Sequence, residues 1–413
     1  MRGGAGLAGA ALLLALGLAP AAAAPAYHAG TILPSAPEAE RDAALTGFYG
    51  RWKETYLRQG CGEGRFFVAV RGDGKPAFAG AAPDTLTVSE AQGYGMLAAV
   101  MMAPFDADAQ RIFDGLAAFA ADHPAASDPA LMAWNQVASC ASADAGHGGT
   151  ATATDGDLDI AYALLLADRA WGSAGAVDYR GRALAAIAAI GRHEIADPGD
   201  YPLLGDWAGA EPAFSGATRV SDFMPAHFKA FFKASGDPRW GAVWDRGYAR
   251  LAAAQAQFSP EAGLLPDFLV ALDGTPAPAP PHFLEAATDG AYAWNAARLP
   301  WRVAADALTQ GDARARALLA PLNAFFSARA AGDPRRLAAG YGLSGAPLVE
   351  PGGDTLAFLG PLAVSAMLDP AGQAWLDALW AELVARPVGT SDYYGNTIKL
   401  LALIVLSGHW GTP

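Results

Sequence analysis

Ala153-Thr154-Asp155-Gly156-Asp157-Leu158-Asp159-Ile160-Ala161-Tyr162-Ala163-Leu164-Leu165-Leu166-Ala167-Asp168-Arg169-Ala170-Trp171 opens with three carboxylates and runs straight into an apolar helical pattern. The periodicity predicts a helix over residues 157–171, with Asp155, Asp157 and Asp159 gathered at its N-terminal mouth. A second stretch repeats the arrangement. Ser89-Glu90-Ala91-Gln92-Gly93-Tyr94-Gly95-Met96 puts Glu90 in the first turn of a helix predicted over 89–102, with Ser89 or Thr87 as its cap. Carboxylates held at the mouth of a rigid helical scaffold suit acid/base hydrolysis of a glycosidic bond.

In the aspartate run, one carboxylate is expected to cap the helix and a second to face the same cleft as Glu90. A calcium loop is excluded, because the sixth and twelfth positions counted from Asp155 are Ile160 and Leu166, not a glycine and an acid. An acid in a first helical turn complements the helix dipole, which accounts for Glu90 alone. It does not account for Gly93 and Gly95, since a glycine inside a helix costs about 1 kcal/mol. They predict that another helix or a substrate approaches the backbone closely. The dipole also lowers an acid's pKa, so burial or a neighbouring carboxylate must prevail if Glu90 is to act as a general acid.

Outward from these stretches helical periodicity dominates, over 41–56, 89–102, 107–123, 157–171, 179–194, 224–235, 240–257, 292–310, 313–331, 354–368, 371–385 and 394–406. Short turns separate the helices, and Gly-Asp-Pro followed by Arg occurs twice, from Gly236 and from Gly332, a hint of repeated helical hairpins. Phe66-Phe67-Val68-Ala69-Val70 is the best candidate strand, and the Pro-rich run 275–281 reads as a stiff loop. Twelve helices, short turns and no break in composition predict one large all-α domain over 25–413. Periodicity alone does not say how the helices are arranged.

The 413 residues are 53% hydrophobic and only 17% charged, which suits a large packed core. With 41 acidic against 28 basic side chains the formal charge is −13, which argues against nucleic acid or an anionic membrane surface as partner. A neutral or a cationic glycan remains compatible. Eleven tryptophans and twelve tyrosines supply flat surfaces for sugar rings, although aromatics also fill cores. The seven histidines form no i,i+4 pair, and neither cysteine sits in a metal-ligand cluster, so no metal or cofactor is called for.

The N-terminus reads as an export signal over 1–24, with Arg2 ahead of an Ala/Leu-rich segment and Ala21-Ala22-Ala23-Ala24 for cleavage. An uncleaved anchor is the rival, since the apolar run 5–24 nearly spans a bilayer. After cleavage the protein is expected to be secreted or periplasmic, free of the membrane and monomeric. There Cys61 and Cys140 either form one disulfide or stay as buried thiols.

Aromatics and polar groups concentrate in further segments. His282-Phe283-Leu284-Glu285 runs through Asp289 and Tyr292-Ala293-Trp294-Asn295 to Arg298 and Arg302 at a predicted loop-to-helix junction. Gly205-Asp206-Trp207 and Arg219-Val220-Ser221-Asp222-Phe223-Met224 set acids beside aromatics, and Trp134 offers a stacking platform. These runs fit a sugar cleft, with capping and core packing as the alternative.

The Ala153–Trp171 run resembles the long motif of glycoside hydrolase family 8. Ser89–Met96 is similar to that family's catalytic-acid motif, Asn295–Arg302 to its third motif, and Tyr394-Gly395-Asn396 to Gly408-His409-Trp410 to its C-terminal helix. The resemblance covers nearly the whole chain. It implies an (α/α)6 barrel of helical hairpins with a few short strands, and an inverting endo-hydrolase of β-1,4-linked glycans. Glu90 would be the general acid, while Asp155, with Asp157 close by, would hold the sugar at the cleavage point. Where cellulases of the family usually carry an Asp base, this chain has Asn295, which cannot accept a proton. A branch that includes chitosanases and mixed-linkage glucanases moves the base to a Glu in the preceding loop. Glu285 is then the expected base and Asp289 the second choice, with the two carboxyl groups roughly 6.5–9.5 Å apart.

The substrate-binding set expected with these residues is Tyr94, Trp134, Asp206, Trp207, Tyr292, Trp294, Asn295 and Arg298. The leading expectation is a β-linked glucan, cellulose-like or of mixed β-1,3/1,4 linkage; chitosan is the close alternative within the family, for which the acidic charge and the resemblance to that branch speak slightly. A non-catalytic glycan-binding protein is the alternative of another class.

Overall fold

The computed structural model describes Met1 and residues 27–71, 82–198, 200–353 and 355–413. The expected export signal over 1–24 lies outside them, apart from Met1. Among the described residues no helix is long and apolar enough to cross a membrane.

Twelve α-helices occur among the described residues: α1 (Glu38–Tyr56), α2 (Ser89–Met101), α3 (Ala109–Asp122), α4 (Thr154–Trp171), α5 (Tyr179–His193), α6 (Pro225–Ser235), α7 (Arg239–Phe258), α8 (Leu299–Gln310), α9 (Ala313–Ala330), α10 (Leu356–Ala366), α11 (Gln373–Ala385) and α12 (Tyr393–Leu406). The even-numbered helices touch in the order α2, α4, α6, α8, α10, α12 and back to α2, a closed inner ring. Outside it α3, α5, α7, α9 and α11 each pack on the inner helix before them, and α1 packs on α12. This is an (α/α)6 barrel. The two rings differ in sequence for a physical reason. An inner helix has neighbours on all sides, so α2, α10 and α12 are buried along almost their whole length. Outer helices such as α3 and α7 keep one buried face.

Each outer helix returns the chain, so successive inner helices start at the same end of the barrel. Glu90, Asp155 and Tyr393 lie in the first turns of α2, α4 and α12, and Arg298 immediately precedes α8. The positive ends of several helix dipoles therefore converge where the acids cluster.

The repeated Gly-Asp-Pro punctuates this hairpin rhythm. Gly236 and Gly332 take positive φ at a helix end, and Asp237 and Asp333 accept from the N–H two residues on. Phe66–Val68 is a strand (β2) paired antiparallel with Leu57–Gln59 (β1), shorter than the expected 66–70. Thr85–Val88 (β3) pairs with Asn135–Val137 (β4). Thr218–Arg219 (β5), Phe268–Val270 (β6) and Ala277–Pro278 (β7) form a third small sheet. The Pro-rich run thus supplies an edge strand, the position in a sheet that tolerates proline. Cys61 and Cys140 form a disulfide, with Cα atoms 5.4 Å apart.

The glycines of α2 answer to its packing. A Cβ on Gly93 would lie 2.7 Å from Asp159 Cβ, and one on Gly156 would lie 2.4 Å from Ser89 Oγ. Backbone meets backbone where α2 crosses α4, so the close approach at Gly93 is by a helix and not by substrate. Gly93→Ala should destabilise the protein by about 1–3 kcal/mol through overpacking. Gly47→Ala in α1, whose Cβ would meet nothing within 4 Å, should stabilise it by about 0.5–1 kcal/mol. Chemical unfolding of the two variants beside the parent checks both.

Candidate active site

The convergent helix starts meet on Arg298. Its buried guanidinium donates from Nη1 to Glu90 Oε2 (2.7 Å), Asp155 Oδ2 (2.7 Å) and Tyr94 Oη (3.2 Å), and from Nη2 to Asn295 Oδ1 (2.9 Å). Asn295 Nδ2 then donates to Glu285 Oε2 (2.8 Å), and Arg219 Nη2 donates to Glu285 Oε1 (2.8 Å). Glu90 and Glu285 are thus joined through a guanidinium and an amide and do not face each other directly. The second oxygen of Glu90 accepts from Tyr393 Oη at 3.0 Å.

One turn further along, Arg302 binds Asp159 through two bonds of 2.7 and 2.6 Å, and His227 Nε2 lies 2.9 Å from Asp159 Oδ1. Asp155 and Asp159 are four residues apart on α4, as Arg298 and Arg302 are at the start of α8. The result is a two-rung ladder, in which each buried charge meets an opposite one.

The charges sort themselves accordingly. Burial opposes ionisation of Asp155, but Arg298 and Arg219 outweigh it and hold the carboxyl below its usual range. Asp159 is held low in the same way by Arg302 and His227. Glu285 is also held low, with burial outweighed by Arg219, Asn295 and Arg298. These three carboxylates match the three guanidiniums Arg219, Arg298 and Arg302. Two further acids beside these guanidiniums go the other way. Glu90 is pushed up to about 7 by burial, with the charge of Asp155 adding to it against Arg298 and Tyr393. Asp222, fully buried beside Arg219, is pushed up to about 7 by its own burial. Burial therefore wins the contest with the helix dipole at Glu90, the pattern of a general acid beside an ionised partner.

Asn295 has a definite job in this arrangement. Arg298 only donates, so the amide oxygen must face it and the amide nitrogen must face Glu285, which accepts as a carboxylate. Glu285 also stands open to solvent, its side chain 43% exposed against 17% for Glu90.

Several expected residues prove to do something else. None of the three aspartates nor Ser89 or Thr87 caps its helix: the cap positions are Ala153 and Val88, without a side-chain bond. Asp157 points away from Arg298, accepting from Met132 N (2.9 Å) and lying against Glu194 of the residue following α5. Asp289 is buried and accepts from the N–H groups of Leu284, Glu285 and Ala286 at 2.7–2.9 Å. It shapes the loop that carries Glu285 and has no access to a substrate water. Tyr292 is fully buried, bridged to Tyr341 and packed on Phe326 and Phe358, so it belongs to the core. Tyr94 is buried beneath Arg298, against Trp301. Asp206 staples loops, accepting from Thr152 N (3.0 Å) and Ser127 Oγ (2.6 Å).

The segment 292–298 is not the α-helix expected: it is a turn followed by one short 3-10 turn, Ala296–Arg298. Asp267 accepts the N–H groups of Ala293, Asn295 and Ala296 and holds them in a turn, and α8 begins at Leu299 with Pro300 in its first turn. Asp267, Arg219 and Tyr393 carry parts of the site that sequence reasoning did not assign. Tyr393 directly precedes the recognised Tyr394-Gly395-Asn396, which was the available signal.

Aromatics flank the acids. Trp134 gives its carbonyl to Ser89 N (2.8 Å), next to Glu90. Trp207, Phe214 and Phe283 form an edge-to-face row that ends two residues before Glu285. Trp294, 42% exposed, packs beside Tyr394, whose ring Arg298 covers.

An (α/α)6 barrel with a buried carboxyl pushed up to about 7 and an ionised, solvent-open carboxylate at one end has the makings of a glycoside hydrolase. Comparison with known proteins agrees. The family model "Glycosyl hydrolases family 8" matches residues 52–408, and the chain belongs to that family. The chain is 40% identical over 389 residues to a beta-glucanase of Niallia circulans, covering 94% of this chain and 90% of that protein. An endoglucanase of Bacillus sp. (strain KSM-330) is 33% identical over 375 residues, covering 90% and 77% respectively. The apo structure of a beta-1,3-1,4-glucanase from Paenibacillus sp. X4 superposes with a TM-score of 0.87 at 39% identity, covering 94% of this chain and 98% of that one.

The pH profile of turnover follows from these charges. Activity should fall on the alkaline side near pH 7 as Glu90 loses its proton, and on the acid side only below the ordinary glutamate range. Tyr393→Phe removes a bond that favours ionised Glu90, so it should move the alkaline limb to higher pH. Asn295→Asp sets a second carboxylate against Glu285 and should move the acid limb upward. Profiles of kcat for the three proteins check all of these shifts.

Proposed function

We propose that the protein is an inverting, endo-acting hydrolase of β-1,4 bonds in a β-glucan, with mixed β-1,3/1,4-glucan as the first candidate polymer. The observation that carries this reading is the Glu90–Arg298–Asn295–Glu285 relay. It separates a protonated acid from an ionised base by two intervening side chains, room enough for a water between base and sugar. The relatives named for beta-glucanase and endoglucanase activity support the choice of polymer.

In this mechanism Glu90 gives its proton to the glycosidic oxygen as the bond to C1 breaks. Glu285 takes a proton from the water that attacks C1 from the opposite face, so a β-linkage yields an α-anomer. Asp155, held ionised by Arg298, faces the positive charge that develops on the sugar at the cleavage point. Trp134, Trp207 and Trp294 stack on flanking sugars. Asn295 and Arg298 hold the acid and the base apart and in their protonation states.

Export fits the same reading, because a polymer of this size is met outside the cytoplasm. Removal of 1–24 leaves a single catalytic domain over 25–413, and the Cys61–Cys140 bond suits an oxidising compartment, periplasmic or secreted.

Reducing ends released from barley-type β-glucan, carboxymethylcellulose and chitosan test the assignment. Wild type should cut the mixed-linkage glucan fastest, and Glu285→Gln should lose at least about a hundredfold in kcat, as removal of a general base does. Faster cleavage of chitosan would overturn the choice of polymer. A fully active Glu285→Gln would overturn the base.

A further inference from the structure

The acid that turned away from the cleft belongs to a second buried cluster. Asp157 Oδ2 and Glu194 Oε2 are both fully buried with no other hydrogen-bonding partner, and the two side chains are hydrogen-bonded to each other. Two carboxylates cannot bond without a proton between them. Their outer oxygens reach in opposite directions. Asp157 Oδ1 accepts from Met132 N (2.9 Å), in the loop that carries Trp134. Glu194 Oε1 accepts from Thr152 Oγ1 (2.5 Å), and Thr152 exchanges two bonds with Asp206: its N–H donates to Oδ1 (3.0 Å) and its Oγ1 accepts from Asp206 N (2.9 Å). Ser127 Oγ closes the circuit on Asp206 Oδ2 (2.6 Å). The backbone of Glu194 adds to it, its carbonyl accepting from Leu203 N (2.8 Å).

We propose that Asp157 and Glu194 share one proton and act together as a positioning latch, which holds the loops bearing Trp134 and Trp207 against the first turn of α4. Among the described residues no cation forms an ion pair with either acid. From α4 the nearby charge is Asp155 and from the 203–207 loop it is Asp206, both negative. From α5 Arg182 lines the same cavity as Asp157, about 350 Å³ in volume, while Arg192 and His193 are taken up by Asp128. The walls from α2 and α3 are apolar, being Met96, Ala117, Ala120 and Ala121.

The sign of the pH effect follows. Burial raises both acids above their ordinary values; the charge of Asp157 raises Glu194 further, while Asp206 and Asp155 raise Asp157 against the hydrogen bond from Glu194. The folded state therefore keeps a proton that the unfolded chain releases above about pH 4. The stabilisation is complete at acid pH and is lost as pH rises through the folded values. When the shared proton leaves, the two carboxylates repel and the loops lose their anchor. Substrate binding weakens while the acid and base at Arg298 keep their geometry.

The inference rests on the reading of Trp134 and Trp207 as cleft residues, and its test separates the two. KM on barley-type β-glucan and the Tm are measured across pH 6–9 for wild type and Glu194→Gln. The amide donates to Asp157 without needing the shared proton. Wild-type KM should rise about tenfold over this range, the size of one pKa unit of coupling, with Tm falling. Glu194→Gln should keep the wild-type KM at pH 6 and stay nearly flat in both readouts, with the wild-type pH course of kcat. Should Glu194→Gln fold poorly, Asp157→Asn carries the same comparison through Tm. A variant whose KM and Tm follow the wild-type course, or a wild-type KM flat across the range, overturns the latch. A wild type that cuts no β-glucan overturns the proposed function instead, and the Tm comparison still decides the pair.

Discussion

Everything at the working end of this barrel depends on a guanidinium buried among carboxyl groups. Arg298 has almost no contact with solvent, and an unpaired charge in that position would cost several kcal/mol. Its partners come from different parts of the chain: Glu90 from α2, Asp155 from α4 and Asn295 from the turn before α8. The same bonds that compensate the cation therefore set three helix starts in register. Arg302, one turn along α8, repeats the arrangement with Asp159, and His227 brings in α6. The inner ring is closed by apolar packing, which is indifferent to small slips. The ladder is not, because a slip of one residue would leave two buried guanidiniums and two buried carboxylates without partners.

The ladder also explains how an acid at a helix N-terminus keeps its proton. Three guanidiniums are shared among more than three carboxyl groups, and where a guanidinium is shared burial outweighs it. Glu90 is such a case. Glu285, by contrast, is reached by Arg219 and by the amide of Asn295 and stays charged at a solvent-open position. The amide at position 295 reads as part of one device: an aspartate there would repel the carboxylate of Glu285, to which Asn295 donates. Glu90 and Glu285 shift in opposite directions because they differ in burial and in neighbours, although both are glutamates.

The fold was largely legible in the chain, since all twelve helices have a periodic apolar pattern. The ring itself was not legible from periodicity and entered through resemblance. The site was half legible. Glu90, Asp155, Asn295, Arg298 and Glu285 do come together, but Asp157, Asp289 and Tyr292 serve the scaffold. The reason is geometric. Neighbouring acids in a helix point in different directions, so Asp155 and Asp157 diverge by about 200° while Asp155 and Asp159 share a face. The i,i+4 spacing of Asp155/Asp159 and of Arg298/Arg302 was therefore a readable sign of the ladder. Asp267 and Asp289 carried no such sign, because acids that gather backbone N–H groups in a turn look in sequence like any loop acid.

The central claim is that Glu90 and Glu285 act from opposite faces of the sugar, with Arg298 and Asn295 keeping them apart. The most direct test is the anomeric configuration of the first product, followed by proton NMR during hydrolysis of a soluble β-glucan before mutarotation sets in. The account predicts that the α-anomer appears first and relaxes afterwards toward the equilibrium mixture. A β-anomer appearing first would mean that a carboxylate attacks the sugar directly, and would contradict it.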